Sequence, residues 1–124
     1  MEQTTEIEPK QHTIQECNKR LGAVGDALYV IGGKWKLRLI IALSEGNTRF
    51  NELQRATEGI SAKVLSKELK ELEMNEFIRR NVNPGPPVTV EYELTGYSDS
   101  LQDIITSLHN WGVQHKKKIT GKQI

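Results

Sequence analysis

The chain has one cysteine and few aromatic side chains, and it lacks a long apolar run. Of its 124 residues, 6% are aromatic and only Cys17 is a cysteine. A lone cysteine excludes an intramolecular disulfide and fits a reducing compartment. No apolar segment approaches the roughly 20 residues of a membrane-spanning helix, and no signal-peptide pattern opens the chain. We therefore expect a cytoplasmic protein with no membrane partner.

An excess of charge of one sign is also missing. The formal net charge is +1, so a nucleic-acid partner can be argued only from how the charges are distributed. Residues 34 to 55 hold five basic and two acidic side chains, whereas residues 1 to 16 hold four acidic and one basic. Basic side chains are therefore concentrated in the middle of a chain whose length suits a single domain.

Residue patterns for catalysis and metal binding are absent from the sequence. No phosphate-binding glycine loop, metal-ligand cluster or paired nucleophile and base is present, and Gly32-Gly33 lacks the preceding strand of a dinucleotide loop. His109 and His115 have no acidic or cysteine partner at ligand spacing. The sequence predicts that the protein is not an enzyme and holds no cofactor and no metal.

An amphipathic helix is predicted from Ser61, a suitable N-cap, to about Asn75. Its apolar residues fall on one side when each residue advances the helix by about 100°. On its outward face, lysines with small or hydroxyl side chains could simply be solvated, or they could contact a DNA major groove. The candidates for major-groove contact near its start are Ser61, Ala62, Lys63, Ser66 and Lys67, and Lys70 lies farther along.

Two strand-like segments, 77–82 and 88–94, follow this helix. The second alternates apolar and polar residues, and the proline-rich segment 83–87 between them predicts a turn. A helix-turn-helix followed by such a β-hairpin is a winged helix. The fold class is therefore mainly α with a small β-hairpin, in which the hairpin is the wing.

Upstream segments complete the predicted helix-turn-helix. Residues 50–57 predict its first helix, and Gly59 provides the break before Ile60. Residues 36–44 are apolar on nearly every side and predict a buried core helix. Thr48-Arg49 is expected to add a short strand against the wing, and Thr95 is expected to cap a last helix.

The chain is similar to HxlR-type transcriptional regulators over a stretch from about Ala27 to Trp111. Five motifs in order carry this resemblance, and their combination is more specific than any one of them. They are Val30-Ile31-Gly32-Gly33-Lys34-Trp35-Lys36, Arg49-Phe50-Asn51-Glu52-Leu53, Gly59-Ile60-Ser61, Leu65-Ser66-Lys67-Glu68-Leu69-Lys70-Glu71-Leu72-Glu73 and Val90-Glu91-Tyr92-Glu93-Leu94-Thr95.

The resemblance implies a winged-helix fold close to the MarR group and a homodimer that binds double-stranded operator DNA. It also implies that Gly32-Gly33 separates a first helix from the core helix, with Trp35 packed at the junction. Where the family usually has a glycine, this chain has Ser98, with Gly96 displaced earlier. We expect that departure to change how the last helix begins.

Contacts to the DNA backbone are predicted outside the recognition helix, which is the amphipathic helix that begins at Ser61. Lys34 and Lys36 lie at the start of the core helix. They could stabilise the fold, or they could bind a phosphate. Tyr92 falls on the apolar side of its strand, which favours a core role. The candidates for backbone or wing contact are Arg49, Asn51, Arg79, Arg80 and Asn83.

Apolar stripes near both ends predict a homodimer with the N- and C-terminal helices in its interface. Isologous pairing would place two recognition helices about one DNA turn apart, so a pseudo-palindromic operator is expected. In the alternative, the last helix completes the core of a monomer. The candidate interface residues are Leu21, Val24, Leu28, Leu101, Ile104, Ile105, Leu108 and Trp111.

The predicted domain boundaries are a mobile N-terminal extension at 1–16, a winged-helix domain at 17–115 and a basic C-terminal tail at 116–124. Cys17 is a candidate redox sensor, because some family relatives sense oxidants through a cysteine ahead of the first helix. It stands farther from Gly32 than expected for those relatives, and a small-molecule effector is equally open. The competing function is a winged-helix adaptor that binds proteins without specific DNA binding.

Overall fold

The computed structural model describes residues 13–121, which fall into two compact units divided after Gly33. The first unit contains helix α1 (Ile14–Ile31). The Thr13 hydroxyl accepts from the Glu16 N–H at 3.0 Å, and the Glu16 carboxylate accepts from the Thr13 N–H at 2.9 Å. This capping box satisfies free donors of the first turn and fixes where the helix begins.

Helix α1 begins three residues earlier than the predicted domain boundary at residue 17. Residues 14–16 are thus helical, and residues 1–12 of the predicted extension lie outside the described residues. The helix ends at Ile31, and α2 begins at Lys36, so Gly32-Gly33 lies in the break between them as the family resemblance implies.

The second unit contains the remaining helices and the hairpin. Observed bounds agree with the predicted core helix, helix-turn-helix and wing to within one residue at most ends. The elements are α2 (Lys36–Ser44), α3 (Phe50–Ala56), α4 (Ala62–Met74), β1 (Ile78–Asn83), β2 (Thr89–Leu94), a 3₁₀ segment (Gly96–Leu101) and α5 (Gln102–Thr120). None of the helices described between residues 13 and 121 is both long and apolar enough to cross a bilayer.

The core lies where α2, α3, α4 and the base of the hairpin meet. Its fully buried aliphatic side chains come from the predicted apolar faces of the three helices and, at Ile78, from the start of β1. Burial of this apolar surface fixes α4 against α2 and α3. The core residues that are 2% exposed or less are Leu39, Ile40, Leu53, Leu65, Leu69, Leu72 and Ile78.

Both ends of α4 are closed by local hydrogen bonds. Ser61 is the N-cap as predicted, and its hydroxyl accepts from the Val64 N–H at 3.1 Å. At the other end the Phe77 N–H donates to the Leu72 carbonyl at 3.0 Å. Glu76, which precedes Phe77, has a left-handed φ of 69°. These features form a Schellman motif that turns the chain directly into β1.

The described sheet consists of β1 and β2, paired antiparallel with Ile78 opposite Leu94. The strand predicted at Thr48-Arg49 was wrong: one hydrogen bond, from the Tyr92 N–H to the Thr48 carbonyl at 2.8 Å, joins this segment to β2. Glu52 accepts from the Thr48 and Arg49 N–H groups at 2.9 and 3.1 Å. These donors cap α3, so they are not free to extend a ladder.

Thr95 was predicted to cap the last helix, and its side chain does not do so. Its hydroxyl instead donates to the Glu76 carbonyl at 2.6 Å, and a 3₁₀ segment precedes α5. Ser98, at the departure from the family pattern, is 1% exposed and donates to the Thr95 carbonyl at 2.6 Å. In this chain the 3₁₀ segment, closed by Ser98 onto Thr95, thus leads into the last helix.

The 3₁₀ segment also corrects the predicted dimer interface. Leu101 ends this segment and is 4% exposed, so it belongs to the core of the second unit and offers no surface to another chain. Helix α5 continues to Thr120, which makes residues 116–118 of the predicted basic tail helical. Lys122 lies outside the described residues.

Candidate nucleic-acid interface

The turn between α3 and α4 sets the direction of the recognition helix. Gly59 in this turn has a φ of 91°, a conformation that side-chain-bearing residues rarely adopt. Gln54 donates from Nε2 to the Ile60 carbonyl at 3.3 Å and ties α3 to the turn. The Trp35 ring lies against the turn, since a Cβ placed on Gly59 would stand 3.8 Å from its Cη2 atom. Trp35, at the start of α2, thus packs against the turn of the helix-turn-helix.

The predicted recognition residues are all exposed: Ser61 is the N-cap of α4, and the others lie on the helix itself. Lys63 has no ion-pair partner in the part of the chain that the structure describes, whereas the Lys67 ammonium lies 3.3 Å from Glu71 Oε2. The two lysines at the start of the helix therefore differ in how freely they can meet a new anion. The exposed candidates are Ser61, Ala62, Lys63, Ser66, Lys67 and Lys70.

Lys36 has a structural role that the sequence left open. Its Nζ atom lies 2.7 Å from both Glu68 Oε1 and Glu71 Oε1, and its side chain is 12% exposed. Burial alone would lower the pKa of Lys36, but the hydrogen bonds and charges of the two carboxylates together leave that pKa raised. Lys36 connects α2 to α4 and is not available to a phosphate.

Glu71 is shared between two lysines. The hydrogen bond from Lys36, followed by the one from Lys67, lowers the pKa of its carboxyl. Sequence analysis could not identify Lys36 as the common partner of Glu68 and Glu71, because it lies more than 30 positions from both.

A cleft of about 250 Å³ separates the exposed face of α4 from the hairpin. Two cations, Lys70 and Arg80, and the hydroxyl groups of Ser66 and Tyr92 line it, together with Glu73. Tyr92 is half-buried rather than a core residue, so its predicted core role is only partly correct. The cleft brings α4 and the wing together around groups suited to a phosphate.

Arg79 and Arg80, predicted as a pair of wing contacts, lie on opposite faces of the hairpin. Strand residues alternate in direction, and the register pairs Arg79 with Glu93 and Arg80 with Tyr92. Arg80 lines the cleft, whereas Arg79 lies 3.2 Å from Glu93 Oε2 on the other face. The alternation was visible in the sequence and could have separated them.

We call this second face, which carries Arg79, Asn81, Asn83, Thr89, Glu91 and Glu93, the outer wing face. Arg49, from the start of α3, reaches it and lies 3.3 Å from Glu91 Oε2. A hydrogen bond from Asn81, followed by Arg79, lowers the pKa of the Glu93 carboxyl. Asn83 donates to the Thr89 hydroxyl at 3.1 Å, and Asn51 is exposed at the start of α3.

With this geometry in place, comparison with known proteins identifies the family. The model of the HxlR-like helix-turn-helix family matches residues 30–120. The chain belongs to the HxlR family. It is 40% identical over 99 residues to the HTH-type transcriptional regulator YtcD of Bacillus subtilis, covering 80% of this chain and 79% of YtcD. It is 42% identical over 93 residues to BH0655 of Halalkalibacterium halodurans, covering 74% and 82%.

Solved structures of similar proteins agree with the fold of this HxlR-family chain. A structure of ytcD matches with a TM-score of 0.71 at 41% identity, covering 76% of this chain and 96% of that one. The redox regulator HypR in its reduced form matches with a TM-score of 0.73 at 34% identity, covering 81% and 99%. The predicted winged helix-turn-helix is confirmed, and the chain is a DNA-binding transcriptional regulator and not an enzyme.

In this HxlR-family chain, the predicted interface residues outside the core remain largely uncovered. On α1 and on α5 they recur three and four positions apart and form a stripe along each helix. Ile105 is half-buried, and Leu101 is excluded as described above. The exposed stripe residues are Leu21, Val24 and Leu28 on α1 and Ile104, Leu108 and Trp111 on α5.

Cys17, the candidate redox sensor, is a free and exposed thiol on α1. Trp111 stacks on His115 with ring centroids 4.7 Å apart, a contact within α5 that sequence analysis did not anticipate. Lys34, the other lysine considered for phosphate, is exposed and lies 4.8 Å from the centre of the Trp35 ring. This cation–π contact gives Lys34 a packing role.

Proposed function

We propose that this HxlR-family regulator binds a pseudo-palindromic operator as a homodimer, with α4 in the major groove. The observation that carries the proposal is the cleft beside the outward face of α4, which Lys70 and Arg80 line together with Glu73. Exposed Lys63 and Lys67 lie near the start of that face, where a recognition helix first meets base edges. A lysine there can donate to guanine O6 or N7, and Ala62 can contact a thymine methyl group.

The backbone of the DNA is held on both sides of α4 in this proposal. Lys70 and Arg80 provide two positive charges in the cleft, and Ser66 and Tyr92 add hydroxyl donors that suit a phosphate oxygen. Asn51 is exposed at the start of α3, so it can donate to a neighbouring phosphate. The tip of the wing around Asn83 approaches the backbone or the minor groove.

A homodimer is supported by the apolar stripes of α1 and α5. An exposed apolar stripe along a helix is a candidate interaction site, and each of these two helices carries one. Leu108 and Trp111 are 53% and 63% exposed, and Leu21 is 67% exposed. A twofold mate would remove these side chains from water, and the same symmetry would place the two α4 helices on successive major grooves.

The test is a gel-shift titration of the purified protein at two salt concentrations. The probes are the DNA upstream of its own gene and a random-sequence duplex of the same length. We expect saturable binding that favours the upstream DNA and weakens along a log-linear salt dependence set by the phosphate contacts. Sedimentation of the free protein should give a dimer, and the footprint should show two related half-sites.

The competing function is the protein adaptor. It predicts no preference for any DNA and an affinity for its partner that hardly responds to salt, because an apolar interface contains few ion pairs. Equal, weak binding to both probes would contradict the operator proposal for that DNA. The same titration repeated against fragments of the whole genome would then show whether the protein binds a distant site.

A further inference from the structure

We infer that Glu91 and Glu93 restrain Arg49 and Arg79 on the outer wing face, so that these carboxylates lower the affinity of the regulator for non-operator DNA. The inference rests on the proposed DNA-binding function and adds a determinant of its specificity. It concerns two acidic residues that contact no DNA themselves and act through the arginines they hold.

The contacts on this face are two ion pairs. Arg49 lies 3.3 Å from Glu91, and Arg79 lies 3.2 Å from Glu93, with all four side chains between 41% and 60% exposed. Asn81 donates to Glu93 at 2.6 Å and holds that carboxylate in place beneath Arg79. Each guanidinium therefore already has an anionic partner when no DNA is bound.

A phosphate that approaches this face competes with a carboxylate for each arginine. The N–H group that the guanidinium donates to its glutamate is not available to the phosphate, and the nearby carboxylate repels the phosphate. Exposed ion pairs are weak, so a phosphate placed at the correct position can displace the carboxylate. A duplex that is not seated in register places its phosphates elsewhere and leaves the pairs intact.

The opposite face of the wing provides the contrast. Arg80 lies on that face, lines the cleft beside α4 and has no ion-pair partner among residues 13–121. It can meet the phosphate backbone of any duplex without an exchange. The two adjacent arginines therefore have different roles. Arg80 attracts the phosphates of any duplex, whereas Arg79 contacts a phosphate only when the duplex is bound in the correct register.

Glu91→Gln and Glu93→Gln test this inference in the full-length protein. Each substitution keeps the size of the side chain, replaces one acceptor oxygen with an NH2 donor and removes the charge that holds an arginine. We expect the affinity for a random-sequence duplex to rise several-fold and the slope of log affinity against log salt to steepen by about 0.9 for each arginine released. Affinity for the upstream DNA should rise less, so the ratio of specific to non-specific binding falls.

Glu45→Gln is the matched control, since it removes one negative charge from an exposed residue that has no ion-pair partner in the described chain. An equal effect of Glu45→Gln and Glu93→Gln would overturn the inference, because total charge would then explain both. The double variant Arg79→Gln/Glu93→Gln supplies a second check. If Glu93 acts through Arg79, replacing Glu93 in the Arg79→Gln background should leave the salt slope unchanged.

The two hypotheses fail in different ways. If the wild-type protein and all variants show no salt-dependent DNA binding, the proposed function fails and this inference fails with it. If the wild type binds DNA and Glu91→Gln and Glu93→Gln leave both the salt slope and the specificity ratio unchanged, only this inference is overturned. Circular dichroism of each variant checks that the hairpin is intact before the comparison is made.

Discussion

Lys36 and Glu68 join the core helix to the recognition helix through a 2.7 Å ion pair in which both side chains are 12% exposed. Glu71 extends the contact, because its two carboxylate oxygens meet Lys36 on one side and Lys67 on the other. Lys67, on the exposed side of α4, is thus connected through Glu71 to the partly buried Lys36 of α2. The orientation of α4 depends on this polar network as well as on apolar packing.

Replacing Lys36 with methionine should lower the free energy of unfolding by about 1–3 kcal/mol, because the carboxylate of Glu68 is left buried without its partner. Urea denaturation measures the change. Lys70→Met is the control, since this exposed lysine should cost less than about 0.5 kcal/mol. Adding Glu68→Gln to Lys36→Met should recover part of the loss, and no recovery would contradict the assignment of the cost to an unpaired charge.

Replacing Glu76 with glycine should stabilise the protein by about 1 kcal/mol. Glu76 has a φ of 69° in the turn after α4, and a left-handed conformation costs a non-glycine residue about 1–2 kcal/mol. Its backbone carbonyl, which accepts from Thr95, is kept in the variant. Glu73→Gly, inside α4, should instead destabilise by about 1 kcal/mol. If both substitutions destabilise the protein, the side chain of Glu76 makes a contact whose stabilisation exceeds the cost of its left-handed backbone.

Local patterns were sufficient to predict most of the fold. The Ser61 cap and the β-hairpin depend on residues within a few positions of each other, and both agree with the structure. The partners of Lys36 could not be predicted, since two helices distant in sequence must first pack before their side chains meet. Leu101 was misassigned because an apolar stripe does not reveal which of its members a 3₁₀ turn directs into the core.

Lys63→Ala should weaken operator binding more than Lys67→Ala does. Lys67 is partly neutralised by Glu71, whereas Lys63 has no ion-pair partner within residues 13–121. The double variant should abolish specific binding and leave the dimer intact. Gel-shift titration gives the affinities, and sedimentation gives the oligomeric state. Equal losses for the two single variants would show that the contact to Glu71 does not restrain Lys67.

The Glu52 cap of α3 should make the free energy of unfolding decrease as the pH becomes acidic. The N–H groups of Thr48, and next Arg49, lower the pKa of the Glu52 carboxyl. The stabilisation is therefore complete above the pKa of an unfolded glutamate, about 4.3, and is lost as the pH falls through the lowered pKa of the folded state. The difference in unfolding free energy between the wild type and Glu52→Gln should shrink between about pH 6 and about pH 3. A difference that does not change with pH would contradict this role.

Cys17→Ser should leave DNA affinity unchanged under reducing conditions. The exposed thiol lies on α1, in the unit that does not carry the recognition helix. Gel-shift titrations of wild type and variant, each with diamide or with reductant, make the comparison. A diamide effect that is present in the wild type and absent from Cys17→Ser would assign the sensing role to this thiol. An effect that persists in the variant would exclude Cys17, since that variant has no other cysteine on which a thiol oxidant could act.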